Sequence, residues 1–368
     1  MIYFDNSATT RSKPLSVKLC CLHYLHNNAN PGRSAHKNSI KCSIAIENTR
    51  EIIQKHFFSG NVIFTKNSTE ALNLAILGSD ITGQVITTDL EHNSVLRPLQ
   101  YLSDNKQITL KILTSENNDY LSELKRTLTN ATSLVVLTGM SNVIGKILPI
   151  EQMAKYVKGH SKAKIIIDMA QGAGHIIYNY EHIDIICCSG HKGLYGLQGT
   201  GFLLAKKHIK LHPLTFGGTG ISSLSLTPPL IYPESFEAGT QFTMGIVCLG
   251  VGINWTFNHR KYLQKKYDFL TNYLNNKLSS NKKINFIGGN NGVISFNIDG
   301  YSSSQIGNIL SEKYHIAVRC GIHCAPLFHK KVKTNNEGSI RVSLGRNNNI
   351  FEIMYLIYIL NHIMNKGV

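Results

Sequence analysis

The sequence predicts an α/β fold, with a large domain built on a mostly parallel sheet and a smaller α+β domain after it. Three observations carry this expectation. From residue 60 to about 206, short apolar runs alternate with helical patterns, the order expected of parallel strands with helices over both faces. After Gly245 the pattern changes to one long helical stretch followed by mixed strands and helices. The 368 residues are too many for one small core and suit a large domain plus a smaller one.

In chain order, strands are expected at Val62 to Thr65, Gln84 to Thr88, Ile108 to Leu113, Leu134 to Thr138, Lys164 to Asp168, Ile183 to Cys188 and Gly201 to Ala205. Helices are expected between them at Thr69 to Leu77, Ser94 to Leu102, Leu121 to Leu128 and Ile150 to Val157. Beyond the long helical stretch come strands at Val293 to Ile298, Ile316 to Arg319 and Ser339 to Leu344, with helices at Ser304 to Lys313 and from Ile350. The expected division is a large domain over 13–245 and a small one over 246–368 joined by 1–12, because the N-terminal piece is too short to fold alone. Ligands of such sheets sit beyond the carboxyl ends of the strands, where polar residues cluster here.

Composition bounds the function. The hydrophobic fraction of 42% is that of a globular protein. The opening Met1-Ile2-Tyr3-Phe4-Asp5-Asn6 has no basic stretch leading into an apolar one, and no run approaches the roughly 20 apolar residues of a membrane span. A soluble, cytoplasmic protein without a membrane partner is expected. The formal charge of +16 is spread along the chain rather than gathered in a block, which argues for a solvated surface over a nucleic-acid partner and would also draw a phosphate-bearing cofactor or a carboxylate. The eight cysteines show no regular framework, as in a reducing compartment.

The chemistry centres on Lys192 in Cys188-Ser189-Gly190-His191-Lys192-Gly193. Upstream, Ile165-Ile166-Ile167 ends in Asp168-Met169-Ala170-Gln171. One strand delivering an acid and the next a lysine among glycines and a hydroxyl is what a pyridoxal 5'-phosphate (PLP) site needs: the lysine binds the aldehyde and the acid pairs with the pyridinium nitrogen. Gln171 would reach the cofactor's phenolic oxygen. Asn67-Ser68-Thr69-Glu70 opens a helix after a strand, so Ser68, Thr69 and free helix amides offer a phosphate seat, although a hydroxyl before a helix is more often only a cap. Ser189 and His191 would reach the same phosphate, and His92 could lie flat on the pyridine ring, although a loop histidine is often structural.

Cys324 stands in Arg319-Cys320-Gly321-Ile322-His323-Cys324-Ala325-Pro326. A cysteine near histidine and arginine in a short Gly and Pro loop suits a nucleophile. An inert packed cysteine, or a metal site of Cys320, His323, Cys324 and His329, is the alternative; the metal reading lacks a second ligand pair at zinc spacing. Arg341 is a charge at a strand position, explained by a substrate carboxylate or by a cross-strand salt bridge.

These residues resemble the class V aminotransferases, and within them the cysteine desulfurases and selenocysteine lyases. The resemblance runs from Tyr3-Phe4-Asp5-Asn6-Ser7-Ala8-Thr9-Thr10 to Ser339-Ile340-Arg341-Val342-Ser343. It is strongest to a cysteine desulfurase-like subgroup, through Asn30-Pro31-Gly32-Arg33, Glu91-His92-Asn93-Ser94 and Phe236-Glu237-Ala238-Gly239-Thr240. It implies PLP-dependent transferase fold type I with a seven-stranded sheet, a homodimer in which Thr240 reaches the neighbouring subunit's cofactor, and Lys192, Asp168, Gln171, His92, Ser68, Thr69, Ser189 and His191 around PLP. Asn142 and Arg341 would hold the substrate, Arg319 and Arg33 would line the entrance, and Cys324 would take the sulfur. Cys320 and Ile322, where a small residue and a histidine are usual, leave substrate preference and acceptor open.

The implied activity is removal of sulfur from L-cysteine, giving L-alanine and an enzyme persulfide for an acceptor protein, in the manner of iron–sulfur cluster biogenesis. Selenocysteine lyase or cysteine β-lyase is the alternative within PLP chemistry. A sulfur carrier or metal-binding protein is the non-enzymatic one.

Overall fold

A computed structural model describes residues 1–32, 34–114, 119–221, 224–227 and 231–366. The first part of the chain forms β1 (Ile2–Tyr3), α1 (Leu15–Asn27), α2 (Lys37–His56), β2 (Asn61–Thr65), α3 (Ser68–Leu77), β3 (Gly83–Thr88), α4 (Asn93–Asp104), β4 (Ile108–Leu113) and α5 (Tyr120–Thr127). Then come β5 (Thr132–Thr138), α6 (Ile150–His160), β6 (Lys164–Asp168), β7 (Ile185–Ser189) and β8 (Gly201–Ala205). The remainder forms α7 (Thr243–Ser279), β9 (Ile284–Asn290), β10 (Val293–Ile298), α8 (Ser303–Tyr314), β11 (Ile316–Ala317), β12 (Arg319–Gly321), α9 (Pro326–Lys331), β13 (Ser339–Ser343) and α10 (Ile350–Lys366).

Seven strands make the central sheet in the order β2-β8-β7-β6-β5-β3-β4. All pairings are parallel except those of β8, which runs antiparallel to both β2 and β7. Its direction follows from the connection: only residues 190–200 separate β7 from β8, too few for the helical crossover that a parallel neighbour needs. Two apolar clusters flank the sheet, one containing Ile165, Ile167, Ile186 and Cys188 and the other Ile166, Ile185, Cys187 and Leu203. Adjacent residues of one strand thus face opposite cores, which is why these strands read as unbroken apolar runs.

A four-stranded antiparallel sheet, β12-β13-β10-β9, forms a third core with α7, α8 and α10. The N-terminal residues join it: β1 pairs with β11 and Phe4 is fully buried in that core. The long helix α7 serves both parts, with Ile246, Leu249 and Ile253 in the large-sheet core and Leu263 to Leu278 in the other. The single strand expected over 316–319 is split between two sheets, and β9 was not anticipated because Gly288-Gly289-Asn290 weakens its strand signal.

Candidate active site

The carboxyl ends of five parallel strands meet at one pocket. It is lined by Asn67, Ser68 and Thr69 after β2, His92 and Ser94 after β3, Thr138, Met140 and Asn142 at and beyond the end of β5, Asp168, Ala170 and Gln171 at and beyond the end of β6, and Ser189, His191 and Lys192 at and beyond the end of β7. Almost every cofactor-contacting residue expected from the sequence is in this group. Thr240 is not; it is exposed and lies outside the pocket. Arg33 lies outside the described residues.

Lys192 is held by a tight loop. The Gly196 amide donates to the Gly190 carbonyl at 2.8 Å, and the Tyr195 amide to the Lys192 carbonyl at 2.9 Å. A side chain at Gly193 would meet the Ala173 carbonyl oxygen at 2.3 Å, so only glycine lets this turn approach the strand-end segment after β6 so closely. Burial pushes the lysine ammonium down to about 8; Asp168 and Cys324 favour its charge, while Arg341 and Arg319 oppose it. The free amine is therefore far more populated near neutral pH than that of an ordinary lysine, as a carbonyl-capturing lysine requires. Asp168 is 5% exposed and accepts from the Ala170 amide at 2.8 Å and from Ser68 Oγ at 3.5 Å. Burial raises its pKa, so a cationic partner in the pocket would be strongly favoured beside it.

The phosphate seat differs from a simple helix cap. Asn67, not Ser68 or Thr69, caps α3, its Oδ1 accepting from the Glu70 amide at 2.9 Å. That releases both following hydroxyls and leaves the first helix amides without intrahelical acceptors. Opposite them, Ser189 Oγ and His191 Nδ1 are buried and have no hydrogen-bond partner among the described residues. Buried polar atoms are rarely left unsatisfied, and two such atoms facing a helix N-terminus fit a bound phosphate. The pocket thus offers an anion seat, an acid for a ring nitrogen and an amine for a carbonyl, the donor set of a phosphorylated pyridine aldehyde.

His92 caps α4, its Nδ1 accepting from the Ser94 amide at 3.0 Å. Burial, then Lys192 and the nearby arginines, push its pKa down to about 4. The ring is therefore neutral, with its proton on Nε2. Ser94, which sequence reasoning missed, links His92 at 2.9 Å to Thr69 at 2.7 Å. A hydroxyl two residues after a capping side chain was the available signal. Lys13 and Thr10 were also missed: Lys13 Nζ donates to the His191 carbonyl at 3.0 Å and Thr10 Oγ1 to the same oxygen at 2.9 Å, bracing the lysine loop from the N-terminal segment. Gln171 Nε2 donates to the Ser7 carbonyl at 2.9 Å.

Cys324 opens into a groove that shares Thr69, His92 and Ser94 with the pocket. Its carbonyl accepts from the Asn93 amide at 2.8 Å, and Asn142 Nδ2 donates to the His323 carbonyl at 2.7 Å. Arg319 Nη2 lies 4.0 Å from Cys324 Sγ. Arg341 is 1% exposed; its Nη2 pairs with Asp5 at 2.8 Å, its Nη1 donates to the Asn142 carbonyl at 3.0 Å, and its Nε has no partner among the described residues. The ion pair is thus to the N-terminal segment rather than cross-strand, where the neighbours are Ser295 and Arg319. Cys320 points away, its Sγ packed on Gly307 of α8, and burial pushes its thiol up to about 11. Among the described residues no cluster of three or more His, Cys, Asp or Glu is arranged to hold a metal ion.

The family model described as Aminotransferase class-V matches residues 2–356. The chain belongs to this family. Among class-V relatives, a protein of Pyrococcus abyssi named probable cysteine desulfurase is 30% identical, across 100% of this chain and 95% of its own length. One of Synechocystis with the same name is 30% identical over 94% of this chain and 86% of its own. The apo structure of cysteine desulfurase from Thermococcus onnurineus superposes with a TM-score of 0.91 at 30% identity, covering 100% of this chain and 95% of that one. The class-V fold therefore extends through both sheets and the N-terminal segment.

Proposed function

We propose that this class-V chain is a PLP-dependent cysteine desulfurase, converting L-cysteine to L-alanine with the sulfur left as a persulfide on Cys324. The observation that carries the reading is the adjacency of two sites: the pocket of Lys192 and Asp168, with orphan donors Ser189 and His191, and a neighbouring groove holding Cys324 beside Arg319. The names of the relatives support the same activity.

When bound, PLP supplies an electron-poor ring that accepts the charge released at the amino acid's Cα. Ser68, Thr69, Ser189 and His191 would hold its phosphate, Asp168 would keep the proton on its ring nitrogen, Gln171 would serve its phenolic oxygen, and neutral His92 would support the ring. Lys192 would hold the cofactor through its amine, and that amine, once free beside the substrate, would take the Cα proton and later return one. Asn142 and Arg341, with Arg319 beside Cys324, would orient the substrate carboxylate, which would compete with Asp5 for the Arg341 fork. The Cys324 thiolate attacks the substrate sulfur, forming an S–S bond as the Cβ–S bond breaks, and protonation of the remaining fragment yields alanine.

The working unit in this reading is a cytoplasmic homodimer, with exposed Thr240 supplied to the neighbouring subunit's cofactor and the persulfide delivered to a docked acceptor protein. The domain division in this reading is 13–245 and 246–368 with 1–12, α7 crossing the boundary so that Ile246, Leu249 and Ile253 pack in the large-sheet core. Among the described residues no helix is long and apolar enough to cross a membrane.

The test is an assay of the holoenzyme with L-cysteine, measuring alanine, pyruvate and sulfide with and without a reductant. Alanine in step with Cys324 persulfide supports the reading, whereas pyruvate would mean β-elimination. Replacing Cys324→Ala should abolish persulfide while the cofactor's yellow colour remains; full turnover in that variant refutes the role of Cys324.

A further inference from the structure

A buried polar cluster lies behind the Cys324 turn, away from the cofactor pocket. Lys331, the last residue of α9, has its Nζ 3.3 Å from Asp89 Oδ2 and donates to the Tyr120 hydroxyl at 2.9 Å. The Tyr120 hydroxyl in turn donates to Asp89 Oδ1. Asp89 and Tyr120 are 2% and 0% exposed. Burial, reinforced by the Asp89 contact, pushes the Tyr120 phenol up, so it remains a donor to the carboxylate. Lys146 and Lys331 each lie 5.1 Å from the Tyr120 ring centroid, a cation–π contact that further fixes the ring.

The placement of this cluster suggests what it does. Asp89 directly follows β3 and stands three residues before His92, while α9 begins two residues after Cys324. The turn between is already held at its other end, by the Asn93 amide on the Cys324 carbonyl and by Asn142 on the His323 carbonyl. His323 and Cys324 both take left-handed backbone angles, with φ of 52° and 57°. Residues with a side chain keep that conformation only when the surroundings impose it. Ala325 and Phe328 bury α9 in the large-sheet core, but apolar contact is non-directional and leaves the helix free to slide or turn. A charged, directional contact at its far end removes that freedom.

We propose that Lys331 is a positioning residue: by tying α9 to Asp89 and Tyr120 it holds Cys324 in the turn from which its sulfur reaches the substrate. The inference rests on the reading of Cys324 as the sulfur-accepting thiol. It adds a residue far from the chemistry that sets the thiol's reach.

The holoenzyme variants Lys331→Met, Lys331→Arg and Asp89→Asn/Lys331→Met test this, each read by cofactor absorbance, KM for L-cysteine, single-turnover alanine formation and the rate at which iodoacetamide alkylates Cys324 without substrate. Lys331→Met should keep the absorbance and KM, lose about ten- to hundredfold in the single-turnover rate as expected for a thiol displaced by about 1 Å, and alkylate faster as the turn loosens. Lys331→Arg, which keeps the charge beside Asp89, should recover most of the rate. The double variant leaves no buried unpaired charge and should be as slow as Lys331→Met. Wild-type rate and alkylation in Lys331→Met would overturn the proposal, as would recovery in the double variant or loss of cofactor absorbance in step with the rate. Undiminished turnover in Cys324→Ala would instead sink the reading of the thiol, and the alkylation rates would still decide whether Lys331 holds the turn.

Discussion

Replacing Glu91 by Gln isolates one buried acid whose protonation couples the fold to pH. Glu91 is fully buried; its Oε1 accepts from Thr88 Oγ1 at 2.7 Å and from the Thr138 amide at 2.8 Å, while Oε2 has no partner among the described residues. Burial pushes its pKa from 4.5 up to about 8; the Thr88 and Thr138 hydrogen bonds oppose this, and Asp168 and Asp89 add to it. Between those two values the unfolded chain releases the proton and the folded protein keeps it. Stability therefore falls as pH rises through this window, by about 1.4 kcal/mol per unit, and levels off above it. Glutamine keeps the accepting oxygen and puts an amide where the protonated oxygen stood, so it mimics the acid form without titrating. From about pH 5.5 to about pH 7.5, the stability of Glu91→Gln should gain on wild type by about 2.5 kcal/mol, a little under two full pH units of slope because the folded acid begins to ionise near pH 8. Urea denaturation of both proteins across that range measures the difference. Parallel stability curves would refute the argument, because they would mean that Glu91 is ionised in the folded protein.

Three further outcomes follow from the site. Asp5→Ala leaves the buried Arg341 guanidinium without its carboxylate and should cost about 2 kcal/mol, less than the roughly 3–5 kcal/mol of a fully buried pair because the Asp5 side chain is 23% exposed; denaturation at neutral pH reads this directly. Cys320→Ser should leave the persulfide yield unchanged, since the Cys320 thiol faces α8 and stays protonated near neutrality; persulfide on Cys320 by peptide mass spectrometry would contradict that. Capture of PLP by the apoenzyme should speed up as pH rises through about 8 and then level off, because burial pushes the Lys192 ammonium down to that value and only the free amine reacts; stopped-flow absorbance follows it.

Much of the site was legible because its residues sit at the ends of strands whose runs the sequence displays. Ser68, His92, Asn142, Asp168 and Lys192 each follow such a run, and a parallel sheet necessarily gathers those ends on one edge. The role of Asn67 as the cap, which frees Ser68 and Thr69, was not legible, since all three residue types suit a cap and only the backbone decides which one turns inward. The direction of β8 could be argued only after its neighbours were known.

The sequence by itself determined the elements, the order of the polar strand ends and the lysine–acid pair, because short-range periodicity and local chemistry suffice for these. Only the tertiary structure decided the partners of the distant residues. Arg341 meets Asp5 across 336 positions, Lys331 meets Tyr120 across 211, and the Asn93 amide meets the Cys324 carbonyl. Such contacts depend on how two sheets and the N-terminal segment pack together, and no local pattern in the chain encodes that geometry.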